Sequence, residues 1–212
     1  MGKPNRASGY DEVAERLRGA GLEPDRNDRG NRTGQRWKIE IHGVKVRIDF
    51  LIPPGRASDR GGRIINLEGD FAAFVTPGLE LAWRDRLRIT LTGSTILGER
   101  ATRGVWVCGP GAFVLLKALA FRDRGEPKDA YDLYYVLRNY RSGAADVAAA
   151  FRAIMDHSLC ARALAILRED FSDLDATGPM RVAAFLEAGA EEALQADVVA
   201  FVTAFLAACQ ES

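Results

Sequence analysis

Apolar and polar residues alternate along residues 37–50, on both sides of His42-Gly43. This pattern is typical of two strands joined by a two-residue turn. Pairing Ile41 with Val44 puts the apolar residues of both strands on one side, so the register is self-consistent. The further pairs that it predicts are Ile48 with Trp37, Lys45 with Glu40, and Asp49 with Arg36.

A short helix is predicted before this hairpin and further strands are predicted after it. The helix covers residues 9–20 and ends at Gly21. Two polar stretches, 23–36 and 53–63, have loop composition, and the second is expected to be flexible and basic. Strand candidates follow at 79–83, 87–91 and 105–108.

From Pro110 onward the spacing of apolar residues is helical. Helices are predicted near 110–124, 127–140, 144–157, 159–169, 179–189 and 191–209. The order of elements predicts an α+β fold, with a mixed β-sheet flanked by helices and a helical C-terminal part. We place the boundary between an α/β core, 1–108, and a helical part, 109–212.

The Ala-rich helices from Ala144 on carry apolar residues at helical spacing, which we expect in the core or on a partner surface. These residues are Phe151, Ile154, Leu164, Leu167, Phe185, Leu194, Phe201 and Phe205.

Composition and charge narrow the functional classes. The 212 residues carry no formal net charge, so any nucleic-acid or nucleotide site must be a local basic patch. The three cysteines are widely spaced, which fits neither a disulfide framework nor a zinc site and favours a reducing cytoplasm. No apolar run reaches the ~18 residues of a membrane span. We expect a cytoplasmic protein without a membrane segment.

Asp49 is the first candidate for chemistry. It ends a predicted strand on the polar face, next to Arg47, and a carboxylate held there could serve as a metal ligand or a base. The alternative is a structural one, because the predicted register puts Arg36 opposite Asp49 and allows a cross-strand salt bridge.

Lys117 is the second candidate, because it interrupts the apolar run 112–121. A buried ammonium is costly unless it is paired, although a lysine can also extend its head to water. On the next helix Asp129 and Asp132 lie three residues apart, where a first-turn acid would also suit the helix dipole. We predict a buried charge cluster of the kind expected at phosphate-handling sites.

Basic residues between the two helices are expected to attract an anionic ligand. They are Arg122, Arg124 and Lys128.

These motifs resemble a known family. Asp49 in VRIDFLIP, Lys117 in AFVLLKALAFRDRG and the string KDAYDLYYVLRNY are similar to the later motifs of AbiEii/AbiGii-type nucleotidyltransferase toxins, of the DNA polymerase β superfamily. The similarity covers about residues 10–140. It implies Mg²⁺-dependent transfer of a nucleotide from a nucleoside triphosphate to an RNA acceptor such as a tRNA, and a cognate antitoxin.

The resemblance also implies roles for particular residues. Asp49 would lie near the metal and the acceptor hydroxyl, Lys117 would contact the triphosphate, and Asp129 would hold the lysine or the ligand. Asp132 would be a supporting structural acid. Apart from the resemblance, we predict that Arg47, Arg122, Lys128 and Asp132 help to bind the substrate.

One family motif is missing from this sequence. The residues before Asp11 contain no Gly-Ser turn with an Asp-x-Asp metal-binding pair, which we interpret as an N-terminal truncation. The alternative function is therefore an inactive relative that binds nucleotide, RNA or a protein. A sheet edge left open in this way would favour a homodimer.

Overall fold

The structure is a computed structural model that describes residues 8–55, 61–96, 98–187 and 191–210. Part of the loop predicted over 53–63 lies outside these ranges. The chain divides into two compact units. The first comprises residues 1–79 with 94–101, and the second comprises 80–93 with 102–212. None of the described helices is both long and apolar enough to cross a membrane.

The first unit combines one helix with two small sheets. In chain order its elements are α1 (Ser8–Gly19), β1 (Glu23–Arg26), β2 (Arg32–Ile41), β3 (Val44–Asp49), β4 (Leu51–Ile52), β5 (Ile64–Glu68) and β6 (Phe71–Val75). One sheet is antiparallel with the order β1-β2-β3. In the other sheet, β6 lies between β4, its parallel neighbour, and β5, its antiparallel neighbour.

The predicted hairpin register is confirmed. Strands β2 and β3 pair Ile41 with Val44, and all the further predicted pairs are present, including Arg36 with Asp49. His42 and Gly43 both have positive φ, as a primed two-residue turn requires. Alternation and turn chemistry are local signals, and both specify the same register. The sequence alone was therefore sufficient to predict how β2 and β3 pair.

The core of the first unit is small. Its buried centre is Ala14, Trp37 and Phe71, and the Phe50 and Phe71 rings pack edge to face at 4.7 Å. The apolar side chains of β3 are exposed, in contrast to Trp37 opposite them. Alternation therefore predicted the pairing correctly without determining how deeply each side chain is buried.

The second unit is a hairpin followed by a bundle of helices. Its elements are α2 (Leu81–Arg84), β7 (Arg86–Ser94), β8 (Arg100–Cys108), α3 (Pro110–Arg124), α4 (Pro127–Asn139), α5 (Ala144–Arg152), α6 (Ser158–Asp170), α7 (Thr177–Phe185) and α8 (Glu192–Ala208). The apolar faces of the helices form one continuous core, in which Leu115, Leu133, Phe151 and Phe205 are fully buried.

The α+β class and the helical C-terminal part are confirmed, but several elements differ from the predictions. Residues 79–83 were predicted as a strand, whereas Leu81 begins the short helix α2. The stretch 23–36, predicted as a loop, contains β1 and the start of β2, and the predictions missed β5 and β6. Phe185, expected in the core or on a partner surface, is exposed.

Candidate functional site

Lys117 lies on helix α3. The first turn of this helix is capped by Asp85, which is distant from it in the sequence. Asp85 Oδ2 accepts a hydrogen bond from the Ala112 amide at 2.8 Å, which satisfies one of the free amides of the first turn. Pro110 occupies a first-turn position where its missing amide costs nothing. Asp85 packs so closely that a Cβ on Gly109 would lie 1.9 Å from its Oδ1 atom, which explains the glycine.

A tight link between α3 and α4 brings the two acids toward the lysine. Gly125 ends α3 in the left-handed conformation, with φ of 65°. Glu126 is extended and Pro127 opens α4, so only two residues separate the helices. Asp129 falls in the first turn of α4, as predicted, where the helix dipole favours a carboxylate.

The predicted charge cluster is present. Lys117 Nζ lies 3.0 Å from Asp129 Oδ1 and 2.6 Å from Asp132 Oδ2. Arg124 donates to both oxygens of Asp129, with Nε at 2.6 Å and Nη2 at 2.8 Å. Lys128 donates to Asp132 from one turn earlier on α4. We call these five residues the Lys117 cluster.

Asp129 is the most deeply buried member of the cluster, with its side chain 1% exposed. Burial by itself raises the pKa of the carboxyl, but the hydrogen bonds from Arg124 and Lys117 outweigh it, so the pKa of Asp129 lies below its ordinary value. Asp129 is thus held as a carboxylate that orients two cations.

The charges of the Lys117 cluster favour an anion. Three cations face two carboxylates, which leaves one formal positive charge. The heads of Arg124 and Lys128 are more than half exposed, whereas Lys117 is 21% exposed and lies over the Phe113 ring. An ammonium has three donors and two are used here, so Lys117 can still donate to a phosphate oxygen.

An apolar groove adjoins the cluster at Asp132. It has a volume of about 280 Å³ and is lined by Phe113, Tyr135 and Tyr140 together with apolar residues of the β7–β8 hairpin. Its size is close to the lower end of small-molecule sites. A charged cluster beside an aromatic groove can hold a ligand with an anionic end and a planar ring.

The sequence predictions did not identify this groove. Two of the three tyrosines on α4 pack against the protein: Tyr131 stacks on Phe185 at 4.7 Å, and Tyr134 is buried. Tyr135, in contrast, is largely exposed and lines the groove. The available signal was helical spacing, since Tyr135 and Val136 follow Asp132 by three and four residues.

Asp49 lies in the first unit and forms the predicted cross-strand pair. Arg36 donates to both of its oxygens, with Nε at 2.6 Å and Nη2 at 3.1 Å. Arg47, the other candidate on this strand, donates to Asp25. The candidate residues are therefore divided between the two units.

Arg122 does not take part in the Lys117 cluster. Its guanidinium pairs with Glu169 at 2.8 Å and with Asp170 at 3.0 Å, both on α6. Helical spacing puts Arg122 and Arg124 on different faces of α3. Their closeness in sequence therefore did not indicate that they share a site.

The described residues do not by themselves form a Mg²⁺ site. Across residues 8–55, 61–96, 98–187 and 191–210, no three acidic, histidine or cysteine side chains are grouped as metal ligands. Mg²⁺ prefers octahedral oxygen coordination, whereas both oxygens of Asp49 are engaged by Arg36. The donor set of the described chain therefore does not fit a resident divalent cation.

Comparisons with known proteins agree with the family resemblance. No curated protein and no solved structure matches this chain. A family model described as "Nucleotidyl transferase AbiEii toxin, Type IV TA system" matches residues 3–209, almost the whole chain. The chain therefore belongs to the AbiEii nucleotidyl transferase toxin family of type IV toxin–antitoxin systems.

Proposed function

We propose that the protein transfers a nucleotide from a nucleoside triphosphate to an RNA acceptor, with the Lys117 cluster as the triphosphate-binding site. The observation that supports this most strongly is Lys117 itself, held between Asp129 and Asp132 with one donor to spare. A lysine fixed in this way meets phosphate with little loss of side-chain entropy, because its acids already restrict its rotamers.

The apolar groove extends this assignment to the rest of the nucleotide. With phosphates at Lys117 and Lys128, a nucleobase would lie against Phe113 and Tyr135, whose rings offer stacking surfaces. Asp132 lies at the junction of groove and cluster, where it keeps both lysines oriented. Lys117 and Lys128 would offset the charge that develops on the leaving phosphates.

Mg²⁺ belongs to this proposal as a companion of the nucleotide. Since the described side chains form no cation site, the ion would enter chelated by the triphosphate oxygens, which are among the ligands it prefers. Asp49 remains the proposed acid near the acceptor hydroxyl. Its pair with Arg36 would have to open for that role.

The acceptor and the protein partner are proposed from the family. A tRNA-like RNA is the proposed acceptor. Since the family belongs to toxin–antitoxin systems, a cognate antitoxin is the proposed protein partner.

Label transfer tests the proposal directly. The protein is incubated with total tRNA, Mg²⁺ and each α-labelled nucleoside triphosphate in turn, and label on RNA is measured. We expect transfer by the wild type and at least a hundredfold loss in Lys117→Ala, since a lost phosphate contact is not replaced. Arg162→Ala is the matched control, because it removes an exposed cation paired with Asp123 in the same unit. Equal transfer by Lys117→Ala and the control would refute the phosphate role.

A second candidate function is a non-catalytic module that binds nucleotide or RNA. The observation in its favour is that Asp49 is neutralised by Arg36 while the described residues supply no group of metal ligands. Equilibrium dialysis with labelled nucleoside triphosphate distinguishes the two functions. Binding that depends on Lys117, without transfer of label, would identify the non-catalytic module.

A further inference from the structure

One face of the β7–β8 hairpin is basic, exposed and separate from the Lys117 cluster. Alternate residues of the two strands form it: Arg86, Arg88, Thr90, Thr92, Thr102, Gly104 and Trp106, all exposed. Side-chain contacts confirm that they share a face, since the Thr92 and Thr102 hydroxyls lie 3.0 Å apart. Together with Trp83 of α2, we call these residues the Arg–Trp face.

Two tryptophans on this face hold an arginine between them. The Arg86 guanidinium carbon lies 5.2 Å from the centre of the Trp83 ring and 4.4 Å from that of Trp106. Trp83 is 67% exposed and Trp106 is 57% exposed, whereas the third tryptophan, Trp37, is fully buried. Large exposed indoles that are arranged on a cation mark an interaction site.

The arginines of the face are available to an anion. Within the described part of the chain, neither Arg86 nor Arg88 pairs with a carboxylate. In contrast, ion pairs to carboxylates engage the following arginines of the same unit: Arg84, Arg122, Arg124, Arg138 and Arg162. Arg88 lies across the neighbouring strand, where a Cβ on Gly104 would be 2.8 Å from its Nε atom. The missing side chain at Gly104 lets this guanidinium lie flat on the strand.

We propose that the Arg–Trp face binds single-stranded RNA. Bases would stack on Trp83 and Trp106, phosphates would bind Arg86 and Arg88, and the threonine hydroxyls would donate to the backbone. A strand face with stacking aromatics is a common way to read single strands. The choice of RNA rests on the proposed function, which it deepens by giving the acceptor a binding surface.

The charges and the position of the apolar residues favour RNA over a protein partner. Tryptophan and arginine are also frequent in protein interfaces, but the centres of those interfaces are apolar. Here the apolar side chains Leu87, Val105 and Val107 lie on the opposite face of the hairpin, where Leu87 and Val107 line the groove. Unpaired guanidiniums beside exposed rings complement a phosphate backbone better than an apolar surface.

Fluorescence anisotropy with a labelled oligouridine tests the proposal without nucleoside triphosphate. About 12 nucleotides suffice, because the face is only roughly 20 Å long. We expect Trp106→Ala and Arg86→Glu each to weaken binding about tenfold or more, and Trp106→Tyr to restore most of it. Arg86→Glu should also lower the dependence of affinity on salt, since one phosphate contact is lost.

Arg103→Glu is the matched control. It makes the same charge change as Arg86→Glu in the same hairpin, but on β8 and on the opposite face. We expect the RNA affinity of Arg103→Glu to stay within about threefold of that of the wild type. If general electrostatic attraction accounted for binding, this variant would lose as much affinity as Arg86→Glu.

Three results would overturn the proposal. The first is equal RNA affinity for all variants. The second is tighter binding of the DNA of the same sequence than of the RNA. The third is a mass in light scattering that is lower for Trp106→Ala than for the wild type, while the RNA affinity is unchanged. The last result would identify a protein interface. Because the assay involves no chemistry, RNA binding can be present when label transfer fails, and the two proposals fail independently.

Discussion

Asp49 and Asp129 each bind an arginine side chain through both carboxylate oxygens, but their surroundings differ. Asp49 lies at the end of a strand with one cation, and its side chain and that of Arg36 are both 47% exposed. Asp129 is almost fully buried and bound by two cations. Water screens the first pair and stabilises its charges when it opens. The second carboxylate depends on its partners, because nothing else compensates its burial.

This difference in burial implies different roles: Asp129 is a structural anchor, whereas Asp49 can change its partner. Asp129 stabilises the unit as a buried, paired carboxylate, so its role toward a ligand is to position Lys117 and Arg124. Asp49 can exchange Arg36 for another partner at little cost. The acid proposed to act near the acceptor hydroxyl is therefore the one that the structure leaves free to change partners.

Replacing Asp129 with asparagine should have the largest effect. The variant leaves Lys117 and Arg124 without their shared counter-charge, and breaking a buried ion pair costs about 3–5 kcal/mol. Urea unfolding followed by circular dichroism of the helices measures the free energy of unfolding. Asp146→Asn on α5 is a control, because it removes a more exposed acid that accepts a hydrogen bond from the Ser142 amide. A loss below about 1 kcal/mol would show that the cluster is not a buried ion pair.

Replacing Lys117 with methionine should cost less. Asp129 keeps Arg124 and Asp132 keeps Lys128, so each acid retains one charged hydrogen-bond partner. We expect a loss of about 2 kcal/mol, the size of a hydrogen bond between charged groups. The same urea series measures it. If Lys117→Met lost as much stability as Asp129→Asn, the lysine rather than Asp129 would be the anchor of the cluster.

Acid should weaken the wild type more than Asp129→Asn. The pKa of Asp129 is lowered in the folded state, so the unfolded chain takes up the proton first as the pH falls. The stabilisation is complete above the ordinary value near 3.8 and is lost as the pH falls through the folded pKa. The urea midpoints of the two proteins at pH 7 and pH 3 measure this. They should converge at low pH, whereas a constant gap would assign the acid sensitivity to other carboxylates.

Local signals predicted the parts of the fold that short-range contacts determine. The turn at His42-Gly43 and strict alternation determined the β2–β3 register and with it the Asp49–Arg36 pair. Gly125 and Pro127 determined the link between α3 and α4, so helical spacing alone could bring Lys117 near Asp129 and Asp132. In both cases the interacting residues are fewer than 20 positions apart.

Longer-range contacts account for what the sequence did not predict. The acids that bind Arg122 are 47 and 48 residues away on α6, and spacing contains no signal for that pairing. Asp85 caps α3 by accepting from the Ala112 amide, 27 residues later, which no local capping motif indicates. The short apolar run 79–83 could equally be a strand or a buried helix, and Leu81 begins a helix there.

Asp49→Asn should have the smallest effect on stability and a large effect on activity. An exposed pair contributes about 0–1 kcal/mol, so the urea midpoint should hardly move. Label transfer should fall strongly, because an amide cannot accept a proton or serve as an anionic ligand. Arg36→Gln breaks the same ion pair while keeping the carboxylate, and it should retain transfer. If both variants lost stability equally and transfer stayed intact, Asp49 would be a structural partner of Arg36 only. Asp49 and Asp129 would then differ in burial but not in role.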